Sequence, residues 1–153
     1  MTGSRIKKIK KYIDNDIFLM TYGDGLADVN IDDLIRFHRA HGRTLTVTGV
    51  KPELSFGVIK KDVYSKVIQF HEKPKLSELT VSGGYFVCSA NIFDYLGEGD
   101  DVVFEEEPMQ KLLQAGEVMV YEHSGSWFAM DTYKDSIYLN NLYQKGEAPW
   151  VKW

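Results

Sequence analysis

The chain has 153 residues, 44% of them hydrophobic and 26% charged, with a formal net charge of −4. That length suits a single domain with a sizeable core, and the mildly acidic balance speaks against bulk nucleic-acid binding, which favours a basic footprint. No apolar stretch approaches the length of a bilayer span, and the sole cysteine, Cys88, excludes an intrachain disulfide and points to a reducing, cytoplasmic compartment.

Residues 5–13, RIKKIKKYI, predict a helix with Ile6, Ile9 and Ile13 on one face and lysines on the other. Such a helix either docks its isoleucines with a solvated lysine face, the commoner outcome, or meets a membrane surface or phosphates. No continuous apolar segment follows the lysines, so they do not open a secretory signal. The apolar run at 17–22 predicts a strand, closed by the turn GDG at 23–25. Asn30 is placed to cap a helix over 31–41, with Asp32 and Asp33 near its positive end and Gly42 as its stop. Ile31, Leu34, Ile35 and His38 share one face of that helix.

The β-branched run TLTVTGV at 44–50 predicts a strand, and shorter strand candidates lie at 56–60, 66–71 and 80–88. A helix is expected over 102–115, a strand over 118–123 and a last helix over 133–145. Helix and strand signals alternate in the first third and become strand-rich in the middle. This predicts an α/β fold in one domain, 1–153, with a sheet parallel in part and an antiparallel portion inserted.

Asp24 follows a strand, flanked by Gly23 and Gly25, which leave room for close approach of a ligand. In α/β sheets ligands bind beyond the carboxyl ends of strands, yet a turn aspartate bonding its own backbone looks the same in sequence. Asp131, in WFAMDT at 127–132, stands in a similar place before a helix. Either it converges with Asp24 on a magnesium ion, which takes one or two protein carboxylates, or Asp131 or Thr132 caps the helix with Asp135 completing a box. In HEKP, at 71–74, Pro74 restricts Lys73 to an extended or turn geometry. There Lys73 would hold a phosphate and Glu72 would accept sugar hydroxyls, unless the segment is a solvated turn.

The paired glycines of SGGYF at 82–86 mark a bulge or a ligand lying on backbone. Trp127 is a candidate sugar-stacking surface, with a core tryptophan as the commoner alternative. His38, His41, His71 and His123 lack metal-site spacing and read as structural, and Cys88 sits among apolar residues as a buried thiol.

In this order the segments TGSRIKKIKKYI, FLMTYGDGLADVNIDDLIRFHRAHG, TVTGVKP, FHEKP, SGGYFV, EEEPMQKL, SWFAMDT and GEAPWVKW resemble the sugar-1-phosphate nucleotidyltransferases. The likeness is greatest to the branch that uses CTP and glucose-1-phosphate. It spans nearly the whole chain, and as an ordered set the segments are specific where each alone is weak. The resemblance implies a Rossmann-like nucleotidyltransferase fold, with a mixed sheet and helices. It implies that Asp24 and Asp131 ligate Mg2+, that Glu72 and Lys73 hold the sugar and its phosphate, that Gly84 offers a backbone contact to the sugar, and that Gly57 lies near it. The implied reaction is attack of a sugar-1-phosphate oxygen on the α-phosphorus of the triphosphate, displacing pyrophosphate with no covalent enzyme intermediate.

The chain also departs from that family. Its 153 residues hold no glycine-rich stretch of the type GGxGTRL to cradle a triphosphate. MTGSRIKK resembles the middle of a family member, so a truncated fold is expected. Ser82 stands where asparagine is common, and Phe128-Ala129 differ within the tryptophan segment. In a doubly wound sheet the absent first strand would be central, leaving the strand at 17–22 with an apolar open edge. Such an edge invites association, so a homodimer or higher homo-oligomer is expected. Two readings follow. One is an enzyme, active alone or with an N-terminal part supplied; the other, favoured by the absent loop, is a non-catalytic remnant that still binds sugar phosphate.

Overall fold

The computed structural model describes residues 1–52, 57–72 and 79–152. In chain order the elements are α1 (Thr2–Lys8), β1 (Ile17–Thr21), β2 (Gly25–Ala27), α2 (Ile31–His41), β3 (Leu45–Val50), β4 (Val58–Lys61), β5 (Val67–His71), β6 (Val81–Ser89), α3 (Glu107–Gln114), β7 (Val118–Glu122), β8 (Trp127–Ala129) and α4 (Tyr133–Gln144), with short 3-10 turns after α1 and β6.

Four strands form the main sheet, in the order β1-β6-β3-β7. β6 is antiparallel to both of its neighbours, whereas β3 and β7 run parallel. The β-branched run of β3 therefore lies inside the sheet, where stiff side chains pack well. β4 and β5 pair as a separate antiparallel hairpin, and β2 and β8 as a separate antiparallel ribbon. The expected mixed α/β architecture is present, and its antiparallel share is larger than the parallel one.

One face of the sheet buries Leu45, Phe86 and Cys88 against Ile92, Phe93, Phe104 and Leu112. The other buries Val87 against Leu34 of α2 and Val29. Full burial of each large side chain contributes about 1.5–3 kcal/mol, so these residues hold the helices to the sheet. Burial pushes the Cys88 thiol up to about 12, which leaves it protonated and inert, as its apolar surroundings predicted.

α2 matches its predicted span. Asn30 accepts from the Asp33 amide, and Gly42 ends the helix with φ 64°. Leu34 and His38 are buried, but Ile31 is exposed.

The first predicted helix, 5–13, is corrected. α1 stops at Lys8 and a 3-10 turn covers Lys10–Tyr12, which rotates Ile9 out of line with Ile6. Ile6 is buried and Ile9 is 43% exposed. The lysines find partners inside the fold: Lys7 pairs with Glu98, Lys8 with Asp100, and Lys10 lies over the Phe93 ring. The helix expected over 102–115 is also shorter than predicted. Pro108 stands in its first turn, where a missing N–H costs nothing, and Phe104 instead turns into the core.

Candidate functional site

β1 and β2 are joined by Tyr22, Gly23 and Asp24, and the turn places Asp24 at the start of the ribbon. In that ribbon Gly25 opposes Ala129 and Ala27 opposes Trp127. The pairing continues one step further, with the Met130 amide donating to the Asp24 carbonyl at 2.9 Å. Asp131 follows directly, so the two aspartates emerge at the same end of the ribbon, on adjacent strands.

Both aspartates are exposed. Among the described residues neither carboxylate accepts a hydrogen bond or pairs with a cation. The capping question is settled at Thr132: its hydroxyl accepts from the Asp135 amide at 3.2 Å, while its own amide donates to the Asp135 carboxylate at 2.9 Å. The box closes without the Asp131 side chain. Exposed carboxylates at one end of a ribbon are a donor type that suits magnesium, which takes one or two protein carboxylates and fills its other positions with phosphate and water. Among the described residues no cluster of three acidic, histidine or cysteine side chains forms a closed metal cage.

The turn that carries Asp24 is held on several sides. The Tyr22 amide donates to the Gly84 carbonyl at 2.9 Å, and its ring packs edge-on to Phe86 with centroids 5.3 Å apart. Gly84 has φ 77°, and a Cβ there would stand 2.8 Å from the Tyr22 ring. Glycine is required by both backbone and space. The Tyr22 hydroxyl donates to Glu105 at 2.5 Å, and Thr2 donates to the other oxygen of Glu105 at 2.8 Å. Burial, the Glu105 hydrogen bond and the Glu105 and Asp24 charges all raise the Tyr22 phenol well above its ordinary value, so it stays a donor. The sequence reading missed Tyr22 and Glu105. Tyr22 stands beside the glycine-flanked aspartate, but nothing local pairs it with a residue 83 positions away.

Trp127 is half-buried, and its indole N–H donates to the Gly83 carbonyl at 2.8 Å. Tyr85 donates to the Gly25 carbonyl at 3.0 Å. These bonds pin the ribbon to β6 and bring Asp24, Asp131, Gly84 and Trp127 into one neighbourhood. Gly57 and Glu72 form a second group at the base of the β4–β5 hairpin. A Cβ on Gly57 would lie 2.6 Å from the Phe70 ring and 3.1 Å from Glu72 Oε2. Among the described residues no hydrogen bond or ion pair links the two groups. Lys73 lies outside the described residues.

The nucleotidyl transferase family matches residues 3–145. A glucose-1-phosphate cytidylyltransferase of Salmonella typhi is 43% identical over 155 residues, covering 100% of this chain and 59% of that protein. A probable glucose-1-phosphate cytidylyltransferase of Bacillus subtilis is 40% identical over 154 residues with the same coverage. The chain thus spans 59% of the length of these curated relatives. Among solved structures, HddC from Yersinia pseudotuberculosis superposes with TM-score 0.68 at 19% identity, over 93% of this chain and 62% of that one. A putative glucose-1-phosphate thymidylyltransferase from Bacillus anthracis superposes with TM-score 0.67 at 18% identity, over 99% and 62%. The fold is that of these nucleotidyltransferases, and the chain belongs to the nucleotidyl transferase family.

Proposed function

We propose that this chain is the metal-carboxylate and sugar-phosphate part of a glucose-1-phosphate cytidylyltransferase, serving the reaction of CTP with glucose-1-phosphate to give CDP-glucose and pyrophosphate. The observation that carries the reading is the position of Asp24 and Asp131 at the same end of the β2–β8 ribbon, where the Met130 amide donates to the Asp24 carbonyl. Identity of 43% to a protein of that name supports the choice of sugar and nucleotide.

In this reading Asp24 and Asp131 hold Mg2+, and when bound the ion offsets repulsion between two anionic reactants. Glu72 accepts hydroxyl hydrogens of the sugar, with Gly57 leaving space beside its carboxylate. Lys73 balances the sugar phosphate, Gly84 presents backbone at the sugar, and Trp127 walls the pocket. Positioning and charge are what such a transfer asks of the protein, since no covalent intermediate has to form.

A second reading rests on the Gly57–Glu72 group, which among the described residues shares no hydrogen bond or ion pair with the turn that carries Asp24. On it the chain binds sugar phosphate without turning over CTP. The two readings separate in paired measurements: pyrophosphate release from CTP and glucose-1-phosphate with magnesium, comparing wild type with Asp24→Ala, and calorimetry with glucose-1-phosphate alone. Turnover abolished by the substitution establishes the enzyme. Binding without turnover establishes the second reading. Absence of both defeats the two together.

The open edge of β1 supports a homo-oligomer. β1 is terminal in the sheet, and Leu19 at its centre is 50% exposed. Unpaired apolar edges are sites of strand addition. A strictly monomeric species in sedimentation at micromolar concentration counts against the oligomer.

A further inference from the structure

On the far side of the sheet from most of the aromatic core, α2 meets β3 and β6 through polar groups. The Arg43 amide donates to His41 Nδ1 at 2.9 Å. His41 Nε2 lies 2.8 Å from Thr46 Oγ1, which lies 2.8 Å from His38 Nδ1. His38 Nε2 lies 2.9 Å from Ser89 Oγ, which reaches the Arg43 carbonyl at 3.4 Å. The chain of contacts leaves the backbone of Arg43 at its N–H and returns to it at its C=O. Inside it, Thr46 is fully buried and His38 is 2% exposed.

The ends of the ring fix where every proton sits. An amide N–H only donates, so His41 Nδ1 is a bare acceptor and a neutral His41 carries its proton on Nε2. That proton goes to Thr46 Oγ1, which leaves the threonine hydroxyl to donate to His38 Nδ1. His38 then carries its proton on Nε2 and donates to Ser89, whose own hydroxyl donates to the Arg43 carbonyl. The opposite tautomer of His38 strands the Thr46 hydrogen in a buried site and takes the Ser89 hydrogen away from Arg43. A buried donor without an acceptor costs about 1–3 kcal/mol.

An added proton has no place in this ring. On His41 Nδ1 it would face the Arg43 N–H, donor against donor. On His38 Nδ1 it would make Thr46 Oγ1 accept from two donors while its own hydrogen is left unpaired. We propose that the ring is an acid-sensitive latch: its closed form holds both imidazoles neutral with Nε2 protonated, and protonation of either releases the C-terminal turn of α2 from β3 and β6.

The charged surroundings agree with a neutral closed form. Burial, then the neighbouring His41, holds His38 below the ordinary histidine value. Burial and Arg43 do the same for His41, against the opposing pull of Glu117. Arg43 and Glu117 are themselves 3.6 Å apart, and Glu117 is occupied by the amide and hydroxyl of Thr44. β3 and β6 face the imidazoles with Thr46 and Ser89, and the Phe37 ring stands edge-on to His41. The unfolded chain therefore binds these protons first. Stability is complete above about pH 6.5, the unfolded histidine value, and falls as pH drops from there towards the folded-state values.

The test is nitrogen-15 NMR of the full chain across pH 7.5 to 5.5, with amide exchange of α2 followed in the same samples. The Nε2–H tautomer is expected at both His38 and His41, and their protonation should coincide with loss of exchange protection at residues 38–42. An Nδ1–H tautomer at either residue, or protonation with protection unchanged, overturns the latch. In urea denaturation the wild-type folding constant should fall by up to about tenfold per pH unit for each histidine below pH 6.5. A folded His38→Gln, His41→Gln double variant should lose that slope, and retention of the wild-type slope overturns the proposal. Should the variants not fold, the NMR measurement on the wild type decides alone.

Discussion

Tyr22 and Glu105 are joined by a hydrogen bond of 2.5 Å that ties the turn carrying Asp24 to the segment leading into α3. The length is that of a hydroxyl bonded to an ionised carboxylate. Burial pushes Glu105 up, but the Tyr22 and Thr2 hydroxyls more than reverse this and its net value is lowered. A lowered carboxyl contributes stability above its unfolded value, about pH 4.3, and loses it as pH falls through the folded value. Tyr22→Phe removes one donor and should cost about 1.5–3 kcal/mol in urea denaturation at neutral pH. The gap to wild type should narrow as pH falls through the lowered Glu105 value, below which the carboxyl is protonated in both proteins; a gap that does not change with pH would show that the ring, and not the hydroxyl, carries the effect.

Gly84 and Gly116 both have positive φ, 77° and 69°, in different surroundings. A Cβ at Gly116 meets nothing within 4 Å, whereas at Gly84 it meets the Tyr22 ring at 2.8 Å. Gly116→Ala should therefore cost only the left-handed backbone, roughly 1–2 kcal/mol. Gly84→Ala should cost more and should also weaken magnesium binding, because Tyr22 must move and carries Asp24 with it. Calorimetric titration of magnesium beside denaturant unfolding reads both effects.

Asp131 and Thr132 are neighbours with separate tasks. Thr132→Ala removes the box acceptor and should lower stability by about 1 kcal/mol. Asp131→Ala should leave stability within about 0.5 kcal/mol of wild type, as an exposed residue whose carboxylate has no partner among the described residues does, while abolishing magnesium-dependent heat. A reversed pattern would return Asp131 to the cap.

Thr46 and Thr48 are both buried on β3, yet only Thr46 has a partner; Thr48 Oγ1 has none among the described residues. Thr48→Val exchanges an unpaired hydroxyl for a methyl of similar shape and should be neutral or stabilising. Thr46→Val leaves two imidazole nitrogens facing a methyl and should cost about 1–3 kcal/mol. Thermal unfolding of the pair at pH 7.5 makes the comparison.

How much of this was legible depended on whether the signal was local. Asn30, Gly42 and the Thr132–Asp135 box are read within one turn of chain, and the helices they bound lie where expected. The strand at 17–22 was also visible, because an apolar run ends at a glycine. The β2–β8 ribbon was not. Each strand has three residues, too few to show a period, and their partnership is made across about a hundred positions of sequence. The same holds for Tyr22 with Glu105 and for the imidazole ring, where the partners are decided by packing. Ile9 failed for another reason: the lysines flanking it are drawn to Glu98, Asp100 and Phe93, which ends α1 early.

The ribbon carries a further consequence. With three pairs and no bulge it works as a ruler: the spacing between the two aspartates is counted out in whole residues from Gly25–Ala129. Insertion or deletion of one residue on either strand would turn every following side chain to the opposite face and change how the two aspartates stand relative to each other, however well the rest of the sheet survived. The tip of the β4–β5 hairpin, at 62–65, has no such arithmetic to keep. Length changes during the history of this chain would therefore be absorbed at the hairpin tip and refused in the ribbon.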